Sequence, residues 1–557
     1  MNDGPAKPAP DPYDIPPPWW VKHRDWAWAL GAGVLTAVLT FICFPAVPPF
    51  NASEFAYAFA VPGIFWAYQR PSFKLYAWTM LAAQAVAWTA LLWWLHPVTW
   101  LGLFLLGPVV GAWVGVWYLA VWWAMPRMAG RVTLVRLMAM LGLAGAWVIV
   151  EWTRTWLLGG FPWLPLAASQ WQRTSVLQIA AYTGSYGVSF VLIAVNIGFA
   201  AYAHRLFFEG RRGFSRRSQE FFLALFLLLG CLCIHVQEAF NTWRFSRKLA
   251  DVSIVQPYIP QEVKWDRAKA DAIFRTLEQA TYIAGASAPD FIVWPEATTP
   301  MAVRGNDGAK KWIEGVTTKA KAPLVLGSLA IENPGRSGEA WYNAVFVVAP
   351  GKGLQPAYYA KRHLVPFGEY VPLRFALGWL HKVVPVGEDD FAAGKSAEPL
   401  IVTGRRGDRY PIGALVCYED IFPSLARSEA RAGAELLFVA TNNAWYGESA
   451  AAYQHAAHSV LRAVETRRPV LRCGNSGWSG WIDEFGVTRG VMAEENGSIY
   501  CRGVKIVPIR RDARWVGRQS FYTLYGDWFV AMSAGLVLLG CGALKFGGTV
   551  PVRVESV

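Results

Sequence analysis

The sequence predicts a multi-pass α-helical membrane bundle of about eight spans, with an α/β domain inserted before the last span. Of its 557 residues, 54% are hydrophobic and only 16% are charged, which is too apolar for an ordinary soluble enzyme. The apolar residues lie in runs of about 20, the length that a helix needs to cross a membrane. From about residue 246 to 515, charges return and short β-type runs alternate with helical ones, as in a soluble α/β domain.

Eight apolar runs are candidate spans, and the second of them is the shortest. They lie at about 26–44, 54–68, 75–95, 99–125, 137–158, 186–204, 219–240 and 524–545. The predicted organisation has four parts: a Pro-rich, disordered cytoplasmic tail at 1–25, a membrane domain of seven spans at 26–245, the α/β domain at 246–515, and the last span with a cytoplasmic tail at 516–557.

The basic residues predict the orientation, because loops that stay in the cytoplasm carry an excess of Lys and Arg. Basic residues precede the first span and follow the second, fourth and sixth: Lys22, Arg24, Arg70, Lys74, Arg127, Arg131, Arg136, Arg205, Arg211, Arg212, Arg216 and Arg217. The other short loops between the first seven spans hold only Arg173. Seven crossings from a cytoplasmic N-terminus place the α/β domain outside. The net charge of +13 therefore reflects topology, and no nucleic-acid partner is expected.

The seven cysteines do not form a disulfide framework. Four fall within or at the edges of spans, which leaves Cys417, Cys473 and Cys501 in a domain that faces an oxidising compartment. No Cys/His spacing resembles a zinc site and no Gly-rich phosphate loop is present, so neither a metal nor a cofactor is expected.

Three β-type runs of the α/β domain each end in a residue suited to catalysis. The stretch DFIVWPEATTP ends its run with Glu296, AYYAKRHLVPFGEYVPL places Lys361 before a loop that carries Glu369, and PIGALVCYEDIF ends its run with Cys417. Ends of strands in an α/β sandwich can converge on one pocket. Together these groups suit acyl transfer, because Glu296 can take the thiol proton while Lys361 stabilises an oxyanion and favours the thiolate.

Each of these residues also has a simpler explanation when taken alone. A free cysteine such as Cys417 is often a core residue. Glu296 could be an exposed carboxylate at the end of a strand, Lys361 a solvated loop charge, and Glu369 a partner for Arg362. The catalytic interpretation depends on all of them occurring together.

The Glu–Lys–Cys order, with the motifs WPE, KRHLVPFGEYVP and CYED, resembles the apolipoprotein N-acyltransferase family of the carbon–nitrogen hydrolase (nitrilase) superfamily. The resemblance runs over nearly the whole chain and includes GFPWLPLAASQ at 160–170, VQPYIPQEVKWD at 255–266, NNAWYG at 442–447 and LRAVETRRPVLR at 461–472. It implies a nitrilase-like α-β-β-α sandwich on the periplasmic side of a bacterial inner membrane.

The resemblance also implies roles for individual residues. Glu296, Lys361 and Cys417 match the catalytic triad of the family. Five further residues match positions that support the site or bind substrate: Trp265, Asn343, Glu369, Tyr418 and Glu419.

The implied reaction moves an acyl chain between two membrane lipids. The donor is a phospholipid, with phosphatidylethanolamine the expected one, and the acceptor is the α-amino group of the diacylglyceryl-cysteine at an apolipoprotein N-terminus. A thioester on Cys417 links the two halves of the reaction, which implies ping-pong kinetics. The enzyme is expected to be a monomer.

Two positions depart from the family pattern. Asn443 stands where the family usually has Asp, and Cys473 occurs with extra tryptophans in LRCGNSGWSGWIDEFG, where smaller residues are usual. Neither position belongs to the triad, and both bear on the acyl-chain preference and the shape of the acceptor pocket.

The segment VPLRFALGWLHKVVPVGEDDF at 371–391 is too apolar for a solvated loop. Leu373, Phe375 and Trp379 either pack on the sandwich or form a mobile lid that dips into the outer leaflet and admits lipid.

Two other functions remain open at this stage. The same triad could serve a membrane-tethered amidase or nitrilase with water as acceptor, although seven spans before the domain are more than a tether requires. A transporter with a regulatory ectodomain would need charged residues inside its spans, and the spans hold few, with Glu151 and Arg154 near the outer end of the fifth.

Overall fold

The apolar runs of the N-terminal half form helices. This computed structural model describes residues 24–46, 52–209, 217–264, 266–372, 374 and 390–549. The helices of the N-terminal bundle are α1 Arg24–Ile42, α2 Val61–Tyr68, α3 Phe73–Leu91, α4 Trp100–Gly115, α5 Trp117–Met128, α6 Thr133–Thr153, the short α7 Thr174–Leu177 and α8 Ala180–Thr183, α9 Ser185–His204 and α10 Gln219–Phe245.

Within the described residues, six helical segments are long and apolar enough to cross a membrane. They are Arg24–Ile42, Trp100–Met128, Thr133–Thr153, Ser185–Phe208, Gln219–Phe245 and Trp528–Phe546. The second predicted run contains the eight-residue α2. The third forms the 19-residue α3, whose polar residues include Lys74, Gln84 and Thr89. The membrane bundle is confirmed, and the number of eight spans stays a prediction.

The α/β domain begins where the bundle ends, because α10 runs directly into the first strand. Its strands are β1 Ser246–Gln256, β2 Phe291–Val293, β3 Leu324–Glu332, β4 Ala340–Ala349, β5 Gly353–Ala360, β6 Leu400–Thr403, β7 Arg409–Val416, β8 Leu436–Thr441, β9 Val470–Gly474, β10 Gly480–Ile482, β11 Thr488–Arg489 and β12 Gly503–Asp512. They form two six-stranded sheets, in the orders β12-β1-β2-β3-β4-β5 and β11-β10-β9-β8-β7-β6.

The two sheets pack face to face over an apolar core. Val293 and Val345 from the first sheet and Ile412 and Phe438 from the second belong to the same buried cluster. The helices α11 Ala270–Ala286 and α12 Asp307–Ala320 pack on the first sheet, and α13 Pro423–Arg431 and α14 Ala451–Thr466 pack on the second. The domain is thus the α-β-β-α sandwich that the resemblance implies, and the predicted fold class is confirmed.

After β12 the chain returns to the bundle through α15 Phe521–Tyr525 and α16 Trp528–Phe546. The last helix packs closely on α6 at glycine positions. A Cβ on Gly145 would lie 2.7 Å from the carbonyl oxygen of Ser533, and a Cβ on Gly540 would lie 2.9 Å from that of Met138. Small residues at these positions let the two helix backbones approach each other.

Helix α14 joins the two parts of the molecule, because it is buried on every side between the second sheet and the bundle. The side-chain oxygen of Gln454 accepts hydrogen bonds from the indole N–H groups of Trp94 and Trp163, each at 2.8 Å. Its Nε2 donates to the carbonyl of Leu91 at 3.1 Å. The sandwich therefore contacts the loops at one end of the bundle directly.

Glu151 and Arg154 lie at this same end of α6 and bind the loop at 161–166. The Glu151 carboxylate accepts from the backbone N–H of Leu166 at 2.6 Å, and Arg154 donates to the carbonyl of Trp163. These two charges hold the loop that touches α14, so they have a structural role at the junction.

Candidate active site

Glu296 is placed by a short strand and a close backbone contact. The three residues of β2 are buried, and the chain leaves the sheet through Trp294 and Pro295. Gly327 on β3 donates its N–H to the Pro295 carbonyl at 3.1 Å, and a Cβ there would lie 2.4 Å from that oxygen. The site thus requires glycine at 327. Glu296 itself is only 8% exposed, unlike a solvated carboxylate at a strand end.

Lys361 follows β5 and binds two carboxylates. Its Nζ donates to Glu369 at 2.9 Å and lies 3.9 Å from Glu296 Oε1. Asn343, in the middle of β4, bridges the same carboxylates, because its Nδ2 lies 2.8 Å from Glu296 Oε1 and 3.1 Å from Glu369 Oε1. Three predicted residues therefore form one network around Lys361. Arg362, the alternative partner for Glu369, pairs instead with Glu429 at 2.6 Å.

Lys361 is held in its charged form. Its side chain is 1% exposed, and this burial opposes the charge, but the carboxylates of Glu369 and Glu296 outweigh it. The net effect raises the pKa of Lys361 above its usual range. A permanently charged ammonium in a buried site is suited to stabilising an oxyanion.

Cys417 follows β7 and begins a short 3₁₀ turn, Cys417–Ile421. It is half-buried, and the hydroxyl of Thr441 donates to its Sγ at 3.6 Å. Burial and the negative charge of Glu296 raise the pKa of the Cys417 thiol to about 12, although Lys361 acts in the opposite direction. The sequence predicts that Lys361 favours the thiolate. The charge of Lys361 lowers the pKa of Cys417 in that direction, but burial and Glu296 raise it by more, so the thiol is protonated at rest.

Glu419 connects the turn Cys417–Ile421 to the segment after Lys361. Its carboxylate accepts from the N–H of Val416 at 2.7 Å, the Tyr359 hydroxyl at 2.8 Å, and the N–H groups of Arg362 and His363 at 2.7 and 3.1 Å. Glu419 is fully buried and holds these strand ends together.

Tyr418 connects the same turn to the membrane bundle. Its hydroxyl donates to the carbonyl of Gly160 at 3.0 Å, and its ring lies 5.2 Å from that of Phe422. The residue directly after Cys417 therefore contacts a loop between two membrane helices.

Lys264 is a site residue that the sequence reasoning missed. It is 2% exposed, and its Nζ donates to the main-chain carbonyl of Glu296 at 3.2 Å. Burial lowers the pKa of Lys264 to about 8, although the charges of Glu296 and Cys417 act in the opposite direction. The available signal was its position in the motif VQPYIPQEVKWD, directly before Trp265.

Several predicted residues lie outside the described part of the chain. They are Trp265 and the three lid residues Leu373, Phe375 and Trp379. Across the residues that the structure does describe, no group of three or more His, Cys, Asp or Glu side chains could hold a metal ion.

The two residues that depart from the family pattern, Cys473 and Asn443, have different surroundings. Cys473 is completely buried in the core between the sheets, where its thiol donates to the carbonyl of Val255 at 3.3 Å. Asn443 is 1% exposed, and its side chain lies 3.1 Å from Nδ1 of His455. His455 in turn contacts the Cys417 carbonyl, so position 443 is two contacts away from Cys417.

Both parts of the chain match models of known families. The "Apolipoprotein N-acyltransferase N-terminal domain" matches residues 19–198, and "Carbon-nitrogen hydrolase" matches residues 251–512.

Full-length relatives are similar over most of the chain. A protein of Geobacter metallireducens called apolipoprotein N-acyltransferase is 34% identical over 414 residues, which cover 72% of this chain and 73% of that protein. Proteins with the same name from Methylococcus capsulatus and Brucella melitensis are 31% and 33% identical, over 79% and 76% of this chain and 78% and 77% of their own lengths. Among solved structures, a nitrilase-superfamily amidase from Nesterenkonia is 17% identical, with a TM-score of 0.34, over 48% of this chain and 94% of its own.

Proposed function

The chain belongs to the apolipoprotein N-acyltransferase family, and from this premise we propose that it transfers an acyl chain from a phospholipid to a lipoprotein N-terminus through a thioester on Cys417. The observation that carries the proposal is that Glu296 and Lys361, which lie 3.9 Å apart after two strands of one sheet, both act through their charges on the thiol of Cys417, which follows a strand of the facing sheet.

Glu296 is the general base of the first half-reaction. Because the pKa of the Cys417 thiol is raised to about 12, the thiolate has to form during the attack on the ester carbonyl. Glu296 takes the thiol proton as the sulfur–carbon bond forms. When the tetrahedral intermediate collapses, the ester carbon–oxygen bond breaks, and Glu296 gives that proton to the departing lysophospholipid oxygen. The product is a thioester on Cys417.

Lys361 stabilises the negative oxygen of the tetrahedral intermediate. Glu369 and Asn343 support this role, because Glu369 holds the ammonium in place and Asn343 fixes both carboxylates. The charge of Lys361 is present before the reaction starts, so it stabilises the intermediate without reorganisation.

The second half-reaction uses the same groups in the opposite order. The α-amino group of the acceptor attacks the thioester, Glu296 takes a proton from the nitrogen, and the carbon–sulfur bond breaks. Glu296 then returns a proton to the Cys417 sulfur, which restores the starting enzyme. Because one site serves both substrates in turn, the kinetics are ping-pong.

A membrane-lipid donor is supported by an apolar loop tip beside the nucleophile turn. Trp156, Leu157 and Leu158 are exposed just before Gly160, whose carbonyl accepts the hydrogen bond of Tyr418. Such a tip suits an acyl chain better than a small water-soluble amide. We infer that phosphatidylethanolamine is the donor, that a diacylglyceryl apolipoprotein is the acceptor, and that the enzyme acts as a monomer.

The enzyme is a bacterial inner-membrane protein, and we propose that its sandwich domain is periplasmic. Support comes from the end of the bundle that lies away from the sandwich. Arg131 donates there to the carbonyl of Leu544 at 2.9 Å, and Arg136 pairs with Glu220. Concentration of basic residues at one end of a bundle marks the cytoplasmic side.

The test supplies the purified protein with phospholipid labelled in its acyl chain and a synthetic diacylglyceryl-cysteine peptide. If the enzyme is a transferase, the product is peptide that carries the labelled acyl chain on its α-amino group. Cys417→Ala should lose this activity, and the matched control Cys473→Ala should keep it. Release of labelled free fatty acid at the same rate with and without the peptide would contradict the proposal and favour a hydrolase.

A further inference from the structure

Cys417 has a backbone conformation that costs free energy. Its φ is +51°, in the left-handed region that disfavours an L residue with a side chain. Such a conformation persists only where surrounding contacts hold it. One side chain that contacts the main chain of Cys417 is His455 on α14, whose Nε2 lies 3.0 Å from the Cys417 carbonyl oxygen.

His455 is buried and surrounded by groups that fix its ring. It is 2% exposed, and its Nε2 also lies 2.8 Å from Oδ1 of Asp420, which belongs to the same turn as Cys417. Asp420 is held in turn by Ser459 at 2.6 Å and Arg472 at 2.7 Å. The turn that carries the nucleophile is therefore tied to α14 at both ends.

These contacts determine which ring nitrogen carries the proton. The Cys417 carbonyl and the Asp420 carboxylate both accept hydrogen bonds, so Nε2 of His455 is the donor. Burial and Arg472 lower the pKa of His455, which keeps the ring neutral and leaves Nδ1 as an acceptor. Asn443 lies beside Nδ1 at 3.1 Å, and its amide nitrogen donates there once the interchangeable ends of the amide are assigned to suit the ring.

We propose that His455 is a positioning residue for the nucleophile: its Nε2–H holds the Cys417 carbonyl, and with it the left-handed turn that directs the thiol toward Glu296. Asp420 and Asn443 orient the imidazole on its two sides. This inference rests on the proposed function, because it presupposes that Cys417 is the nucleophile. The inference adds His455 to the residues that act on Cys417. His455 lies on α14, 38 positions further along the chain than Cys417.

The test compares two amides that imitate different ring nitrogens. In His455→Gln the side-chain NH₂ can occupy the place of Nε2 and still donate to the Cys417 carbonyl. In His455→Asn the shorter NH₂ reaches only the place of Nδ1. A third variant, His455→Leu, fills the volume without any donor.

The measurements are the rate of Cys417 acylation by labelled phospholipid, the KM for that phospholipid, and the melting temperature of each variant in detergent. We expect His455→Gln to keep the rate within about threefold, and His455→Asn and His455→Leu to lose about 10- to 100-fold, the effect of one lost hydrogen bond to a buried group. KM should stay unchanged, and each variant should melt well above the assay temperature, so that the differences in rate do not come from unfolding.

The outcomes separate this inference from the proposed function. If Cys417→Ala still becomes acylated, the nucleophile assignment fails. If Cys417→Ala is inactive but the Gln and Asn variants lose rate equally, His455 is a packing residue. If the Asn variant does not fold, the rates of the Gln and Leu variants are compared instead. Equal losses in those two variants would again make His455 a packing residue.

Discussion

Lys264 and Lys361 show how the same residue type can have opposite electrostatic properties within one site. Both are buried, but Lys361 binds Glu369 through its ammonium, whereas the contact of Lys264 with Glu296 is to a neutral carbonyl. At Lys361 the carboxylates of Glu369 and Glu296 outweigh the cost of burial, which raises its pKa, whereas at Lys264 burial outweighs the charges of Glu296 and Cys417, which lowers its pKa to about 8.

Substitution of Lys361 tests its role in stabilising the oxyanion. Lys361→Met should lower the rate of acyl-enzyme formation by about 10²–10³, the usual cost of one such contact. Lys361→Arg should also lose much of the rate, because a planar guanidinium does not replace a compact ammonium. Single-turnover acylation by labelled phospholipid measures both variants. A near-normal rate for Lys361→Met would remove Lys361 from the mechanism.

Lys264 should make the stability of the protein depend on pH. Its folded pKa of about 8 lies below its ordinary value of 10.5, so between these values the unfolded chain binds more protons. The burial penalty, about 3 kcal/mol from this shift, is complete below pH 8 and is lost as the pH rises toward 10.5.

Lys264→Met removes this penalty, so the melting temperature of the variant relative to the parent should be highest near pH 7 and should fall by pH 10. Lys361 is the internal reference: its raised pKa keeps it charged across this range. A difference in melting temperature that does not change with pH would show that Lys264 is not the group that titrates.

For individual residues, the sequence predicts the ones that stand in local motifs and misses the ones whose contacts form between distant segments. Glu296, Lys361 and Cys417 end β-type runs, which a local pattern reveals. Lys264 stands in the motif VQPYIPQEVKWD, but its contact with Glu296, like the contact of His455 with Cys417, forms only when distant segments meet.

At the scale of single elements, the glycines of the last helix offer a matched pair of substitutions. A Cβ at Gly540 would meet the backbone of α6, whereas a Cβ at Gly542 would have no heavy atom within 4 Å. Gly540→Val should therefore separate α16 from α6 and cost about 1–3 kcal/mol, as overpacking usually does.

Gly542→Val, two residues away on the same helix, should leave stability nearly unchanged. Thermal unfolding in detergent measures both variants. Equal melting temperatures for the pair would mean that the last helix does not depend on close packing with α6.

The elements also show where hydropathy stops being informative. The length of an apolar run predicts α1, α6, α10 and α16 well, because each helix that crosses the lipid needs its own run of about 20 apolar residues. Helix α14 is different: it contains Gln454, His455, Arg462 and Glu465, a composition typical of a solvated face, yet all its residues are buried. The bundle that covers it lies hundreds of residues away in sequence, so no local pattern predicts this burial.

At the scale of the whole molecule, the orientation in the membrane remains a prediction from charge that labelling can test. Ser337 is exposed on the sandwich, and Ser72 is exposed between α2 and α3, two helices of the bundle. In intact cells with a permeabilised outer membrane, Ser337→Cys should react with a membrane-impermeant maleimide, and Ser72→Cys should react only after lysis. The reverse pattern would place the sandwich in the cytoplasm, away from lipoprotein N-termini.

The contact between the two parts of the molecule explains why this reaction needs both. Cys417 ends a strand of the sandwich, Tyr418 beside it binds the bundle loop at Gly160, and α14 holds both Cys417 and the indoles of Trp94 and Trp163. Cys417 thus lies against the membrane domain, where an acyl chain can reach it with little exposure to water.

The central claim is that Cys417 carries the acyl chain between donor and acceptor, and the mass of the intact protein tests it most directly. Incubation with a phospholipid of defined acyl chains should add the mass of one acyl group. Hydroxylamine or a diacylglyceryl-cysteine peptide should remove it, and Cys417→Ala should never gain it. Acylation that survives hydroxylamine, that persists in Cys417→Ala, or that the peptide does not discharge would contradict the thioester mechanism.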